Sequence, residues 1–322
     1  MASDVKNVLV LVPADDAHLE QLKDAAPGAA IRLMAHQPPT AEDLAGADVV
    51  VGNLSTDQMA HLKAPKLLQL NSSGVPESYL KLKQRLVDTV LCSASGAYGL
   101  AISEHMLAML LSLMKRLHTY RDDQRHARWV DRGQVRSLAE ARVLVVGMGD
   151  IGLHFAMLCT AMGATVRGVK RRMSAPPKGV EAVYTQQSLD GLLPWADVVA
   201  LSLPDTPDTR QLMDARRFGL MKKGSYLLNV GRGSAIDQDA LLNAVRKGVV
   251  AGAGLDVTTP EPLPADNPLW QEEDILITPH ISGGYHLKKT LDNIIDIACH
   301  NIQALPGGPF IAEVDLETGY RA

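Results

Sequence analysis

Three polar residues in the last third of the chain are of types that bind anions and transfer protons. Arg232 follows the run "LLNVG", Glu261 follows "GLDVTTP" and His280 follows "LITP". These runs are predicted to be consecutive parallel strands, so the residues after them are expected at the ligand-binding edge of one sheet. Arginine there can bind a carboxylate with two hydrogen bonds and polarise the adjacent carbonyl. The pattern therefore favours chemistry on a 2-keto acid.

Histidine and glutamate would supply the proton transfer that such chemistry needs. His280 can protonate a carbonyl oxygen as hydride arrives, and it can accept that proton in the reverse direction. Glu261 beside it would orient the ring and favour the imidazolium form. Each residue alone could be an ordinary loop or surface residue, and the prediction depends on the ordered set. His105, within an apolar helical pattern, is predicted to be a core histidine instead.

A glycine-rich turn earlier in the chain is typical of dinucleotide binding. The segment "VLVVGMGDIG" (143–152) places G-x-G-x-x-G between an apolar strand and a helix. Gly147 permits the tight turn, Gly149 lets a pyrophosphate approach the backbone, and Gly152 lets the helix pack on the strand. Asp150 and Ile151 would place free N–H groups at the positive end of that helix. The alternative is a glycine-rich turn without a ligand.

Three consecutive basic residues follow the next predicted strand, in "VRGVKRRMS" (166–174). An NAD-binding fold usually has Asp or Glu about 20 residues after the glycine turn, bonded to the adenosine ribose. Here that place holds Lys170, Arg171 and Arg172. Arginine can bind a 2′-phosphate, which a carboxylate would repel. The segment predicts that NADP(H) is preferred and NAD(H) remains usable; a solvated basic corner is the alternative.

Two series of alternating strand and helix patterns position these residues. In the first hundred residues, apolar strand patterns lie at 8–12, 47–53, 67–74 and 90–95. The second series begins at "ARVLVVGMGDIG" and continues through "TVRGVK", "DVVALSLP", "SYLLNVGRG", "VAGAGLDV" and "DILITPH". This alternation predicts an α/β fold with parallel sheets. Residues 99–120 are predicted to form one long helix, and the last helix follows residue 286.

Composition restricts the class of protein. The chain has 322 residues, of which 46% are hydrophobic, so about two domains of ~150 residues are expected. A net charge of -4 without a lysine-rich tail argues against a nucleic-acid partner. Three scattered cysteines without CxxC predict neither a disulfide framework nor a metal site. "MASDVKN" lacks the apolar core of a signal peptide and "MLAMLLSLM" is too short to span a bilayer, so a cytoplasmic location and no membrane partner are expected.

Four ordered segments, "GMGDIG", "NVGRGSAID", "GLDVTTPEPLP" and "ITPHISG", resemble the signatures of the D-isomer-specific 2-hydroxyacid dehydrogenase family. The resemblance covers most of the chain and is strongest over 143–284. It implies two Rossmann-like domains, with a dinucleotide-binding domain (99–285) inserted into a flavodoxin-like substrate domain (1–98 plus 286–322). It also implies that Arg232 binds the substrate, His280 is the acid/base and Glu261 is its partner.

The same resemblance implies further cofactor and substrate contacts. Asp256 would lie near the nicotinamide ribose and carboxamide. The segment "NSSGVP" matches the family's substrate loop, in which backbone N–H groups would bind the substrate carboxylate. The remaining residues expected at the cofactor cleft are Leu203, Pro204, Val230 and Gly231, and those of the substrate loop are Ser73, Gly74 and Val75.

Several positions depart from the family pattern. Pro76 stands where aspartate is frequent, and Tyr98 stands where asparagine is common. No basic residue occurs in "NSSGVP", which favours a small unphosphorylated substrate. Trp129 resembles an aromatic residue that relatives lend to a neighbouring subunit's pocket, with plain dimer packing as the alternative; a homodimer is expected. His286 lies near the predicted cleft without an assigned role.

The function that the resemblance implies is reduction of a small 2-keto acid, of the glyoxylate/hydroxypyruvate kind, to a D-2-hydroxy acid. Two alternatives stay open. A dinucleotide-sensing binding protein of the corepressor type uses the same fold, and phosphite dehydrogenase or another acid dehydrogenase has a similar set of three residues. Formate dehydrogenases carry glutamine at the carboxylate position, and Glu261 counts against that reading.

Overall fold

The computed structural model of the chain describes residues 5–81, 84, 88–305 and 307–317. The described residues belong to two compact units, Met1–Tyr98 with Tyr285–Ala322 and Gly99–Gly284. The chain thus leaves the first unit after Tyr98 and returns to it at Tyr285. The first four residues of the segment considered as a targeting signal lie outside the described ranges.

The first unit contains a five-stranded parallel sheet in the order β2-β1-β3-β4-β5, which is the flavodoxin-like order. Its strands are β1 (Asn7–Val10), β2 (Ala30–Leu33), β3 (Val49–Val51), β4 (Leu67–Gln69) and β5 (Val90–Cys92). The helices that alternate with them are α1 (Asp16–Ala25), α2 (Ala41–Ala45), α3 (Thr56–Met59) and α4 (Glu77–Leu80).

The second unit contains a seven-stranded parallel sheet in the order β12-β11-β10-β9-β6-β7-β8. Its strands are β6 (Arg142–Val146), β7 (Thr165–Val169), β8 (Val180–Tyr184), β9 (Val198–Leu201), β10 (Ser225–Asn229), β11 (Val250–Leu255) and β12 (Ile275–Ile277). Its helices are α5 (Gly99–Met114), α6 (Leu117–Arg125), α7 (Asp150–Ala161), α8 (Leu189–Leu192), α9 (Ala215–Leu220) and α10 (Gln238–Arg246). Strands β6 to β11 follow the dinucleotide-binding order, in which ligands bind where the strand order reverses.

The central strands of the second sheet are covered on both faces. Every residue of β9 and β10 is buried, as are the last four of β6. Near-continuous apolar strands of this kind are typical of parallel sheets with helices on each side. Helix α5 packs on α7 and on β10 and β11. The carboxyl ends of these strands therefore form one rigid edge of the sheet.

Helix α11 (Lys288–Gln303) follows the second unit and packs on α1 and β4 of the first. Buried His18 in α1 lies between two carboxylates: Asp15 caps α1, and Asp292 is 3.0 Å from Nε2 of His18. Lys288 donates to Asp15 at 3.1 Å and to Asp292 at 2.8 Å. These polar contacts attach the returning chain to the first helix.

The predicted α/β class with two parallel sheets is confirmed, whereas the prediction of one helix over 99–120 is wrong. Helix α5 ends at Met114. The N–H of Arg116 donates to the carbonyl of Leu113, and Arg116 adopts a left-handed conformation with φ of 56° before α6 begins. Strands β2 and β8 were not predicted, and β2 is exposed or half-buried throughout. None of the described helices has the length and apolar character needed to cross a membrane.

Candidate active site

The structure brings two of the three predicted catalytic residues into direct contact. Nδ1 of His280, beyond β12, lies 2.8 Å from Oε2 of Glu261, which stands in the loop after β11. The other carboxylate oxygen, Oε1, accepts the backbone N–H of Thr258 at 3.0 Å. Both oxygens of Glu261 are therefore engaged, and its carboxylate plane is fixed relative to the histidine ring.

This geometry determines which ring nitrogen faces a ligand. A carboxylate only accepts hydrogen bonds, so Nδ1 of His280 carries the hydrogen that Glu261 accepts. Nε2 is then the nitrogen that remains for proton exchange. The side chains of His280 and Glu261 are 48% and 38% exposed, so a proton can be exchanged with solvent.

The backbone of His280 is held in an uncommon conformation. Its φ is 50°, in the left-handed region, which costs free energy for a residue with a side chain. Its N–H bonds to the carbonyl oxygens of Asp256, at 2.8 Å, and Thr278, at 3.0 Å. Conformations of this kind persist only where the surroundings impose them.

Asp256 imposes much of that constraint, because its buried carboxylate binds both sides of the His280 turn. Oδ1 accepts from the hydroxyl of Thr278 at 2.6 Å and from the N–H of Ile281 at 3.0 Å. Oδ2 accepts from the hydroxyl of Ser282 at 2.5 Å and from its N–H at 3.2 Å. Four donors occupy the acceptor positions of this carboxylate. Its cofactor contact, implied by the family resemblance, stays a prediction.

Thr278 and Ser282 were not singled out in the sequence, although they shape the turn. The chain offers one signal for them, a threonine and a serine flanking His280 at two residues on each side. His105 belongs to the same network: its Nε2 is 3.0 Å from the hydroxyl of Thr278 and 3.8 Å from Oδ1 of Asp256. The predicted core histidine thus has a polar partner beside the candidate site.

Arg232 lies just beyond β10, next to β11 in the sheet. Its Nη1 donates to the carbonyl of Gly231 at 2.7 Å, and its own carbonyl accepts from the side chain of Asn229 at 2.9 Å. The following Gly233 packs so closely on Thr258 that a Cβ atom would come within 2.0 Å of the Thr258 carbonyl oxygen. This approach places the Arg232 segment against the loop that carries Glu261.

The glycine turn has the close packing that a dinucleotide site requires. Gly147 has φ of 104°, and a Cβ atom on Gly152 would lie 2.0 Å from the carbonyl oxygen of Gly147. A Cβ atom on Gly149 would meet open space. Gly149 is also the N-cap residue of α7, and no side chain at this position bonds to the first N–H groups of the helix. The first turn of α7, including Ile151, therefore faces an open position where an anion can bind.

Asp150 adds an unfilled acceptor beside that turn. Its Oδ1 lies 3.3 Å from Nδ1 of His154. Its Oδ2 is buried and has no hydrogen-bond partner among the residues that the structure describes. A buried carboxylate oxygen without a donor is unusual, and a ligand hydroxyl can satisfy it.

The basic segment lies at the same edge of the sheet as the glycine turn, because β7 is paired with β6. Lys170 is half-buried and donates to the hydroxyl of Ser174 at 3.2 Å, while Arg171 and Arg172 are exposed. The other predicted cleft residues follow the paired strands β9 and β10: Leu203 is half-buried, Pro204 exposed, Val230 and Gly231 buried.

The predicted substrate loop lies in the first unit, after β4. Ser73, Gly74 and Val75 are half-buried. Their backbone N–H groups donate to no acceptor within the described ranges. Three consecutive free N–H groups form an arrangement suited to an anion such as a carboxylate. His286 is exposed in the same unit, and no contact with the residues that the structure describes assigns it a role.

Comparison with known proteins decides the family. A sequence profile described as "D-isomer specific 2-hydroxyacid dehydrogenase, NAD binding domain" matches residues 107–282, which is more than half of the chain. The chain belongs to the D-isomer specific 2-hydroxyacid dehydrogenase family. It is accordingly an oxidoreductase that uses a nicotinamide dinucleotide. The predicted enzyme class is confirmed.

Individual members of this dehydrogenase family resemble the chain over most of its length. Glyoxylate/hydroxypyruvate reductase A of Photorhabdus laumondii is 32% identical over 227 residues, 69% of each chain. A D-isomer specific 2-hydroxyacid dehydrogenase of Xanthobacter autotrophicus, solved with NADPH and MES, is 28% identical with a TM-score of 0.80, covering 98% of this chain and 100% of that one. The NADPH-dependent glyoxylate/hydroxypyruvate reductase of Sinorhizobium meliloti, solved with NADP and sulfate, is 26% identical with a TM-score of 0.82 and the same coverage.

Proposed function

We propose that this dehydrogenase reduces a small 2-keto acid of the glyoxylate/hydroxypyruvate kind to the D-2-hydroxy acid, with NADPH as the favoured reductant. The observation that carries the proposal is the His280–Glu261 contact at 2.8 Å, with Arg232 on the neighbouring strand end. The reductase names of the relatives support the substrate class, and the family supports the D configuration.

In the proposed reaction, each of the three residues has one task. Arg232 binds the substrate carboxylate; among the described residues only the carbonyl of Gly231 accepts from its guanidinium, so a two-bond contact remains available. Nε2 of His280 donates a proton to the carbonyl oxygen. Glu261 holds the ring in the orientation and tautomer that leave Nε2 facing the substrate. A nicotinamide bound in the second unit would supply the hydride.

The cofactor would be held by the second unit. Gly147, Gly149 and Gly152 fit a pyrophosphate, and Lys170 with the two arginines after it would bind the 2′-phosphate. The relatives solved with NADPH or NADP support this preference. We accordingly assign 99–285 as the dinucleotide-binding domain. The free N–H groups of the loop at 73–75 support assigning 1–98 plus 286–322 as the substrate domain.

We also propose that the enzyme is a homodimer. The side chain of Trp129 is fully exposed, and Val130 and Val135 beside it are 46% and 49% exposed. Exposed apolar surface of this kind is typical of a protein interface. Sedimentation of the purified protein is expected to give a mass twice that of the 34.7 kDa chain, and a monomer at micromolar concentration would contradict the proposal.

The proposed function is tested with purified enzyme and a panel of 2-keto acids, including glyoxylate, hydroxypyruvate and pyruvate, each with NADPH and NADH. The highest kcat/KM is expected with NADPH and either glyoxylate or hydroxypyruvate. If neither NADPH nor NADH is oxidised with any of the 2-keto acids, the proposal is refuted. A higher kcat/KM for NADH would refute the cofactor preference alone.

A further inference from the structure

The chain passes between its two units at two points, and a tyrosine stands at each of them. Tyr98 is the last residue before α5, and Tyr285 is the first residue of the returning chain. The Tyr98 hydroxyl donates to the backbone carbonyl of Asn71, and the side-chain amide of Asn71 donates to the Tyr285 hydroxyl. The two tyrosines therefore bind the backbone and the side chain of the same asparagine.

Asn71 in turn begins a network that reaches into the substrate loop. It exchanges two hydrogen bonds with Asn53, at 2.7 and 3.1 Å, each from a backbone N–H to a side-chain oxygen. Asn53 also donates to the hydroxyl of Ser72 at 3.0 Å, and that hydroxyl donates to the carbonyl of Gly74 at 2.6 Å. The carbonyl of Ser72 accepts from the N–H of Ala94 at 2.9 Å. The loop is thus connected to both tyrosines through continuous hydrogen bonds.

Burial keeps both tyrosines in the neutral form. The side chain of Tyr98 is buried, and Tyr285 is half-buried. Removal from water raises the pKa of each hydroxyl, and the proximity of Tyr285 raises the pKa of Tyr98 further, whereas the bond from Asn71 lowers that of Tyr285. The Tyr98 hydroxyl consequently remains a hydrogen-bond donor across neutral and mildly alkaline pH.

We propose that Tyr98 and Tyr285 are positioning residues that set the affinity of the loop at 72–75 for the carboxylate of the substrate. This rests on the proposed function, together with the contact that the family resemblance implies between that carboxylate and the free N–H groups of Ser73, Gly74 and Val75. The tyrosines do not touch the reacting atoms. They restrict the loop through Asn71, so that less ordering is needed when the anion binds.

The test removes one hydroxyl at a time while keeping the aromatic ring. Tyr98→Phe and Tyr285→Phe should each raise the KM for the best 2-keto acid about tenfold, the factor expected for one neutral hydrogen bond. The kcat and the KM for NADPH should stay unchanged. Tyr120→Phe is the matched control, because its hydroxyl bonds to a backbone N–H, that of Arg132 at 3.1 Å, away from the loop. Unchanged KM in both tyrosine variants overturns the proposal.

A second readout separates this inference from the proposed function. Hydrogen exchange of the Asn53 and Asn71 amides reports the network without any substrate, and it should accelerate in both variants but not in Tyr120→Phe. If the wild type reduces no 2-keto acid, the proposed function fails, while faster exchange still shows that the two tyrosines restrict the loop. Exchange equal to that of the control overturns the role independently of activity.

Discussion

At the scale of single residues, the proposed role of Arg232 depends more on the planar geometry of its guanidinium than on its charge. We expect Arg232→Lys to keep the positive charge and lose the planar two-bond contact with the substrate carboxylate. The lost charge-assisted hydrogen bond corresponds to about 1.5–3 kcal/mol, so the KM for the 2-keto acid should rise roughly 10- to 100-fold. Steady-state kinetics with NADPH held at saturation measures this change.

A matched substitution distinguishes this effect from a general loss of arginine. Arg246→Lys makes the same change in an exposed ion pair, in which Arg246 lies 2.6 Å from Glu272. Exposed pairs contribute little, so its kinetics should equal those of the wild type. Equal KM values for the Arg232 and Arg246 variants would show that Arg232 does not bind the substrate.

At the scale of structural elements, the turn after β12 is predicted to depend on the hydroxyls bound to Asp256. Thr278→Val and Ser282→Ala each remove one donor from a buried carboxylate, which should destabilise the fold by about 1–3 kcal/mol. Because the same turn carries His280, kcat should fall about tenfold, a shift equal to about 1.4 kcal/mol in the barrier.

Thr119→Val is the control for this prediction, since it removes a buried hydroxyl that donates at 2.9 Å to the carbonyl of Arg116, outside the turn. It should lower the midpoint of thermal unfolding and leave kcat unchanged. If the two turn variants lose stability to the same extent as Thr119→Val and also retain full kcat, the turn does not control His280.

The strand end after β7 gives a second prediction at this scale. Arg171→Ala with Arg172→Ala should raise the KM for NADPH by about 100-fold or more, because two charge-assisted bonds to the 2′-phosphate are lost and each corresponds to about 1.5–3 kcal/mol. The KM for NADH should change little. Arg121→Ala with Arg125→Ala removes the same charge from α6 and serves as the control. Equal effects on the KM values for both cofactors would mean that the segment is solvent-exposed and does not bind the 2′-phosphate.

At the scale of the whole molecule, the sequence predicts features whose residues are close together in the chain or follow directly after predicted strands. The glycine turn, the parallel sheets and the three residues Arg232, Glu261 and His280 are of this kind. Contacts between distant positions were not predictable. Tyr285 meets Asn71 across 214 residues, and Ser282 meets Asp256 across 26. Hydroxyl and amide partners of this kind have no periodicity that a sequence pattern reveals.

Helix interruptions and positive φ angles are the other features that the sequence does not predict. Residues 99–120 are apolar enough to suggest one helix, yet the left-handed conformation of Arg116 divides it. No glycine or proline marks that position, and arginine rarely adopts positive φ. In the same way, the φ of 50° at His280 is set by the Asp256 network and not by the residue type.

The most direct test of the catalytic account is the rate of NADPH oxidation with glyoxylate and with hydroxypyruvate, measured for the wild type and for His280→Ala, with NADPH binding titrated in parallel. Loss of a general acid should lower kcat by about 10²- to 10⁴-fold while NADPH binds as before. A His280→Ala enzyme that reduces either acid at the wild-type rate would contradict the account.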